Sequence, residues 1–350
     1  MLPIILLALG TAWLPASRSH LSAADIAGER HDGLTVRIDS VRHSVVLAAG
    51  PFELPPATGD TPEGGMDAHA LVVPMLKFTW PVDGWIRGMK LRVGNAQGEL
   101  PRSLVGYLTV INFGRRQLLY SHAERLLAAS PEAGDLRLPA TIGIPVSAGM
   151  PMALLLAWRN ATPEPVPGAT LELSIDWMPA RMVPRPVSVL PVSLSVVDPV
   201  GNAGDFELPA GSARWTAEFS FPLAGHVLVA GGHLHDYGSG LELEDISTGS
   251  SRAVLRLRTR RTGDGRLLAV DRVLPGAAGN GIRLRQGRRY RLVASYDNPT
   301  GQALPRGGMA NLILLFAPDQ LEAWPAVAPG DAGYRKDLRY LESRGVVPGR

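Results

Sequence analysis

Apolar and polar positions alternate in short runs along most of the chain. Thr35-Val-Arg-Ile-Asp-Ser-Val41, Gly88-Met-Lys-Leu-Arg-Val93 and Ala169-Thr-Leu-Glu-Leu-Ser-Ile175 each set apolar residues two apart, the period of a strand with one wet face. Val187-Ser-Val-Leu190, Ala217-Glu-Phe-Ser-Phe221, Ala253-Val-Leu-Arg-Leu-Arg-Thr259 and Arg289-Tyr-Arg-Leu-Val-Ala-Ser-Tyr296 continue the pattern in the second half. Asp83-Gly84, Asp264-Gly265 and Asn280-Gly281 between such runs are hairpin-type dipeptides. Helical spacing is confined to two short stretches, His122 to Ala129 and Ala332 to Ser343. The pattern predicts an all-β protein of two tandem antiparallel jelly-roll-like β-sandwich domains.

The boundary falls where the pattern breaks. Between Asp176 and Val192 the chain carries four prolines, which remove ladder donors and favour extended backbone. The expected division is an N-terminal sandwich over 30–178, a Pro-rich linker over 179–190, a C-terminal sandwich over 191–320 and a polar tail over 321–350. At 350 residues the chain exceeds the usual size of one core, and 45% hydrophobic residues are enough to fill two. The 39 glycines and 30 prolines, against 19% charged residues, suit many short strands joined by turns. No fixed-period repeat shows along the residues.

Composition narrows the chemistry. A net charge of +3 does not imply a nucleic-acid partner. Cysteine is absent, which excludes disulfides, thiolate metal sites, iron–sulfur clusters and a cysteine nucleophile, so any metal must use His, Met, carboxylates or backbone oxygen. The apolar run Met1 to Leu14, followed by Ser22-Ala-Ala24, reads as a signal peptide over 1–24 and implies export to the periplasm or the extracellular space. It lacks a basic n-region, which leaves two alternatives: a start further upstream, or a buried N-terminal strand. No later segment reaches membrane-spanning length without charges, so the mature chain is expected to have no stable span.

The segment Gly231-Gly-His-Leu-His-Asp-Tyr-Gly238 is the most informative for function. His233 and His235 stand two apart, so on a strand both imidazoles leave the same face, with Cα atoms roughly 6–7 Å apart. Only eight histidines occur in the chain, and two of them are here. Imidazoles so placed can share one copper or zinc ion, and a thioether would select copper. Met309, in Gly307-Gly-Met-Ala-Asn311, stands among small residues just before an apolar strand. Taken alone it reads first as a gap-filling core side chain and second as a ligand. His226 lies on the opposite strand face from His233 unless a bulge intervenes; Asp236 and Tyr237 can orient the site or simply build a turn. His69 and His122 are isolated and read as surface or capping residues. Arg256, Arg258 and Arg260 form a basic stripe that reads as a solvated sheet face or as a site for anionic lipid or polysaccharide. Asn160-Ala-Thr162 matches a glycosylation pattern.

The His-Leu-His segment, Tyr296-Asp-Asn-Pro-Thr300 and the Gly-Met lead-in 74 residues after His235 together resemble the copper type II, ascorbate-dependent monooxygenases, the peptidylglycine and dopamine hydroxylating enzymes, and their bacterial relatives. Gly50-Pro-Phe-Glu-Leu-Pro-Pro56 and Gly84-Trp-Ile-Arg-Gly-Met-Lys90 extend the resemblance loosely into the first half. It implies one copper ion on His233, His235 and Met309 that meets dioxygen, with a small-molecule reductant or substrate as partner. It also implies an electron-relay copper in the first half, but the expected His-His pair is replaced by Gly106 and Tyr107, and no histidine lies near Leu156 to Asn160. The expected function is thus an exported single-copper protein. Alternatives are a non-catalytic copper-binding or scaffold protein and a metal-free binding module. Substrate and oligomeric state are not encoded in these motifs.

Overall fold

The computed structural model describes residues 29–31, 33–57, 70–278, 280–328 and 330–344; the run Met1 to Ala24 and His69 lie outside the described residues. The described residues form four largely antiparallel sheets and one α-helix, Ala332–Ser343. Strands up to Ser188 make a nine-stranded and a five-stranded sheet, and strands from Leu190 to Pro318 make two five-stranded sheets. Apolar residues spaced two apart fill two cores. Leu47, Trp80, Ile86, Leu156 and Leu173 lie in the first, and Phe221, Leu243, Tyr290, Leu314 and Phe316 in the second. The protein is an all-β molecule built as two sandwiches.

The two halves repeat one topology. In the first, Ser44–Leu54, Val166–Pro179, Gly84–Asn95 and Ile142–Val146 lie side by side in that order. In the second, Leu190–Ser195 and Asp205–Leu208 share the first place, followed by Leu304–Pro318, Gly225–Leu234 and Ile282–Leu284. The facing sheets correspond as well. Leu76–Thr79, Pro151–Arg159, Val105–Arg116 and Ala123–Ala129 match Gly211–Ser220, Arg289–Asn298, Gly238–Asp245 and Arg252–Arg261.

A matching clamp marks the repeat at atomic level. Asn160 donates its amide to the carbonyls of Pro55 and Glu164 at 3.0 and 2.7 Å, and Asn298 donates to Pro209 and Gln302 at 3.0 and 2.8 Å. Thr162 and Thr300 close both turns on the asparagine oxygen. Each clamped proline ends the same tetrapeptide, Phe52-Glu-Leu-Pro55 or Phe206-Glu-Leu-Pro209. The tetrapeptides are separated by 206 − 52 = 154 residues and the asparagines by 298 − 160 = 138, so unequal loops hide the period. The Asn160 amide, which matches a glycosylation pattern in sequence, is buried and bonded within the fold.

Two elements depart from expectation. His122 to Ala129 is not helical: Ala123–Ala129 is a strand paired with Val105–Arg116. The register passes from Val110↔Leu127 to Ile111↔Arg125, so Leu126 is a bulged extra residue. That bulge buries both Leu126 and Leu127, producing the apolar doublet that mimics a helical face. The Pro-rich linker is also partly structured, because Val187–Ser188 pairs in parallel with Ile142 and Gly143.

The predicted C-terminal helix is present and starts at an Asp331 cap that accepts from the Gly333 and Tyr334 N–H groups. It packs Tyr334 and Leu341 against Ile111, Ala123 and Leu155 of the first half. Among the described residues no helix is long and apolar enough to cross a membrane.

Candidate functional site

The strand Gly225–Leu234 carries His233 near its end, and His235 follows one residue beyond. It pairs antiparallel with Leu304–Pro318, His233 opposite Asn311 and Leu234 opposite Ala310. One step further, the His235 N–H donates to the Met309 carbonyl at 3.3 Å. The 74 residues separating His235 from Met309 in sequence are thus closed by one ladder, and the two are cross-strand neighbours. Directly opposed residues share a face, so His233, His235, Asn311 and Met309 lie on one side, while Leu234, Ala310 and Leu312 enter the second core. Gly308 is needed beside Met309, because a Cβ there would meet the Phe206 ring at 2.0 Å.

The two imidazole rings stand edge to face with centroids 5.4 Å apart. Both Nε2 atoms are buried and have no hydrogen-bond partner. Nδ1 of His233 bonds to the Glu132 carboxylate of the first half. The His235 ring is hydrogen-bonded to the backbone of Arg306 and Gly307.

Burial first, and then the neighbouring His233, push the His235 ring down to about 3 against the opposing pull of Glu132 and the backbone. The metal-free ring is therefore neutral. Burial would raise the Glu132 carboxyl, but the adjacent His233 ring and the Ser130 hydroxyl bring it down to about 2.

Two imidazoles on one face, with Nδ1 of His233 held by Glu132 and each Nε2 unclaimed, are arranged as a metal-binding histidine pair requires. Among the described residues no three His, Cys, Asp or Glu side chains form a metal-binding group. A third side-chain donor would thus come from another residue type, and the cross-strand neighbour Met309, 7% exposed, offers a thioether. Tyr296 fixes the backbone of Met309, its hydroxyl donating to the carbonyl and accepting from the N–H.

The remaining candidates fall into place differently. A bulge between Val227 and Val229 puts His226, opposite Ala317, on the same face as His233. Six ladder positions, roughly 20 Å, still separate Ala317 from Asn311. His226 instead approaches Arg283, which pairs with Asp319. Asp236 accepts from the Leu267 N–H at 2.8 Å, and Tyr237, at φ 68°, donates its N–H to Gly265. Both therefore build the turn after the histidines.

His122, read as a surface or capping residue, is 2% exposed, stacks on Tyr120 and bonds to the Ala123 carbonyl. Its loop is drawn inward because Leu118, four residues before, fills the second core. Of the basic stripe, Arg256 pairs with Glu242 at 3.1 Å and Arg260 lines the cavity described next. Glu132 was missed by sequence reasoning; an acidic residue after Ser-Pro reads only as a surface turn, and its partner lies 101 residues away.

A cavity of about 540 Å³ opens between the sandwiches, lined by Glu132, His233, Met309 and Asn311. Its walls come from both halves: Leu108, Leu126 and Ile144 on one side, Val229, Ile313 and Leu315 on the other. Tyr107, where the resemblance calls for histidine, also lines it and pairs with Arg344.

Fold and site together define a double β-sandwich protein with a histidine pair, His233 half-buried and His235 buried, beside the boundary between its halves. No family model and no curated protein matches the chain. Among solved structures, PNGF-II is similar at a TM-score of 0.39 and 10% identity over 78% of this chain. This chain spans 66% of the length of that protein. A structure of Sulfolobus Turreted Icosahedral Virus gives a TM-score of 0.21 at 11% identity, covering 71% of this chain and 59% of the other. The mavirus major capsid protein gives 0.26 at 10% identity, covering 90% and 93%.

Proposed function

We propose that this is an exported copper-binding protein of the periplasm or extracellular space, resembling the copper type II monooxygenases, in which His233, His235 and Met309 hold one copper ion. The observation that carries the reading is the pair of buried, unpartnered Nε2 atoms beside a methionine placed opposite His235 by the strand ladder. Two imidazoles and a thioether form a soft, low-charge donor set that suits copper, Cu(I) above all. The apolar run Met1 to Leu14 supports export.

The chain's own residues bind and orient. His233 and His235 present unpartnered Nε2 atoms, Glu132 fixes the His233 ring, and Tyr296 fixes the backbone of Met309. Copper so held supplies a redox centre able to meet dioxygen or peroxide, with electrons from an external reductant.

Metal-free protein titrated with Cu(I) and Cu(II) is expected to take up one equivalent. His233→Ala should abolish that uptake, and Met309→Ala should weaken Cu(I) more than Cu(II). Unchanged stoichiometry in both variants removes the assignment. A second reading, a non-catalytic copper binder, is favoured by Gly106 and Tyr107 at the positions where the resemblance calls for electron-relay histidines. Ascorbate-dependent oxygen consumption lost in His235→Ala supports the enzyme; copper binding without oxygen consumption supports the binder.

A further inference from the structure

We propose that Glu132 is a positioning residue for the histidine pair, and that through it copper binding is linked to the docking of the two sandwiches; this rests on the copper reading of the site. The carboxylate is prepared before it meets the imidazole. Glu132 sits in a tight turn closed by the Ala133 N–H on the Ser130 carbonyl at 3.0 Å, with Pro131 presetting the backbone at the second position. The Ser130 hydroxyl donates to Glu132 Oε1 at 2.6 Å, the same oxygen that meets Nδ1 of His233.

The turn ends the strand Ala123–Ala129 of the first half, whereas His233 belongs to the second. Contacts to that half lie just after the turn and before the strand that leads into it. Arg272 donates to the Asp135 carbonyl at 2.9 Å, and the Ser195 N–H donates to the Tyr120 hydroxyl at 2.9 Å. A carboxylate on Nδ1 keeps the proton there and leaves the Nε2 lone pair free for a metal. The copper-competent tautomer of His233 is thus selected from the opposite sandwich. Because coupling is reciprocal, whatever docking contributes to copper affinity, copper returns to docking.

The test uses the full chain as wild type, Glu132→Ala and Glu132→Gln. The proposal expects Glu132→Ala to bind copper about 10- to 100-fold more weakly. It expects an altered Cu(II) paramagnetic resonance spectrum and a smaller copper-induced rise in Tm. Glu132→Gln, which keeps an acceptor oxygen, should recover part of each. Nitrogen NMR of the metal-free protein should show Nδ1–H at His233 in wild type and a tautomer mixture in Glu132→Ala. Wild-type affinity and spectrum in a folded Glu132→Ala or Glu132→Gln overturns the proposal while leaving the copper site standing. A wild-type chain that takes up no copper overturns both, and is recognised without any variant.

Discussion

At the scale of single residues, buried polar groups carry most of what can be tested. His122 is enclosed by the loop it closes, and burial, with Arg125 beside it, brings its ring down to about 4 from an ordinary 6.5. Asp337, the Ala123 carbonyl and Asp198 oppose the shift without cancelling it. The unfolded chain therefore takes up a proton near pH 6.5 that the folded chain refuses until about 4. Stability contributed by the neutral ring is complete above the unfolded value and is lost as pH falls toward 4, by roughly 3 kcal/mol. Urea unfolding across that range should show a steep loss in wild type and a shallower one in His122→Asn. Asn298 offers a second test. Asn298→Ala leaves the Pro209 and Gln302 carbonyls without their donor and should cost about 1–3 kcal/mol in the same assay. Neither role is legible from sequence, because an isolated histidine or an Asn-x-Thr turn looks alike whether buried or exposed.

At the scale of elements, the strand Ala123–Ala129 and the C-terminal helix depend on each other. Arg125 meets Asp337 through two bonds of 3.1 and 2.6 Å, and Asp337 also accepts from the Ala123 N–H. Asp337 is fully buried, so removing it strands a guanidinium and a backbone donor. Asp337→Ala should destabilise the protein by about 3–5 kcal/mol and open residues 332–343 to protease. The helix was readable in advance, since its spacing is local. The strand was not: its bulge arises from pairing with Val105–Arg116, which no local window contains.

For the whole molecule, the boundary between the sandwiches is a packed interface. Leu118 of the first half lies in the second core, and Val229 and Leu315 of the second half lie in the first. Gln117 and Tyr120 add hydrogen bonds across the same boundary. The two sandwiches should therefore unfold in one calorimetric transition. Leu118→Ala, expected to cost about 2–5 kcal/mol, should lower that transition and split it into two. A variant that leaves a single unshifted transition would show the halves to be coupled by other contacts. The cleft lined by His233 and Met309 lies at this interface, so the site inherits the stability of the docking.

The sequence by itself determined what depends on neighbours along the chain: strand periodicity and hence the all-β class, the division near the prolines, the final helix, and a His-x-His pair sharing one face. Tertiary structure alone decided what depends on pairing between distant segments. The ladder brings Met309 opposite His235, docking brings Glu132 to His233, and bulges at Leu126 and beside Val227 reset which side chains face inward. The physical reason is that a strand's side-chain direction is local, whereas its partner, register and bulges follow from the packing of the whole sheet.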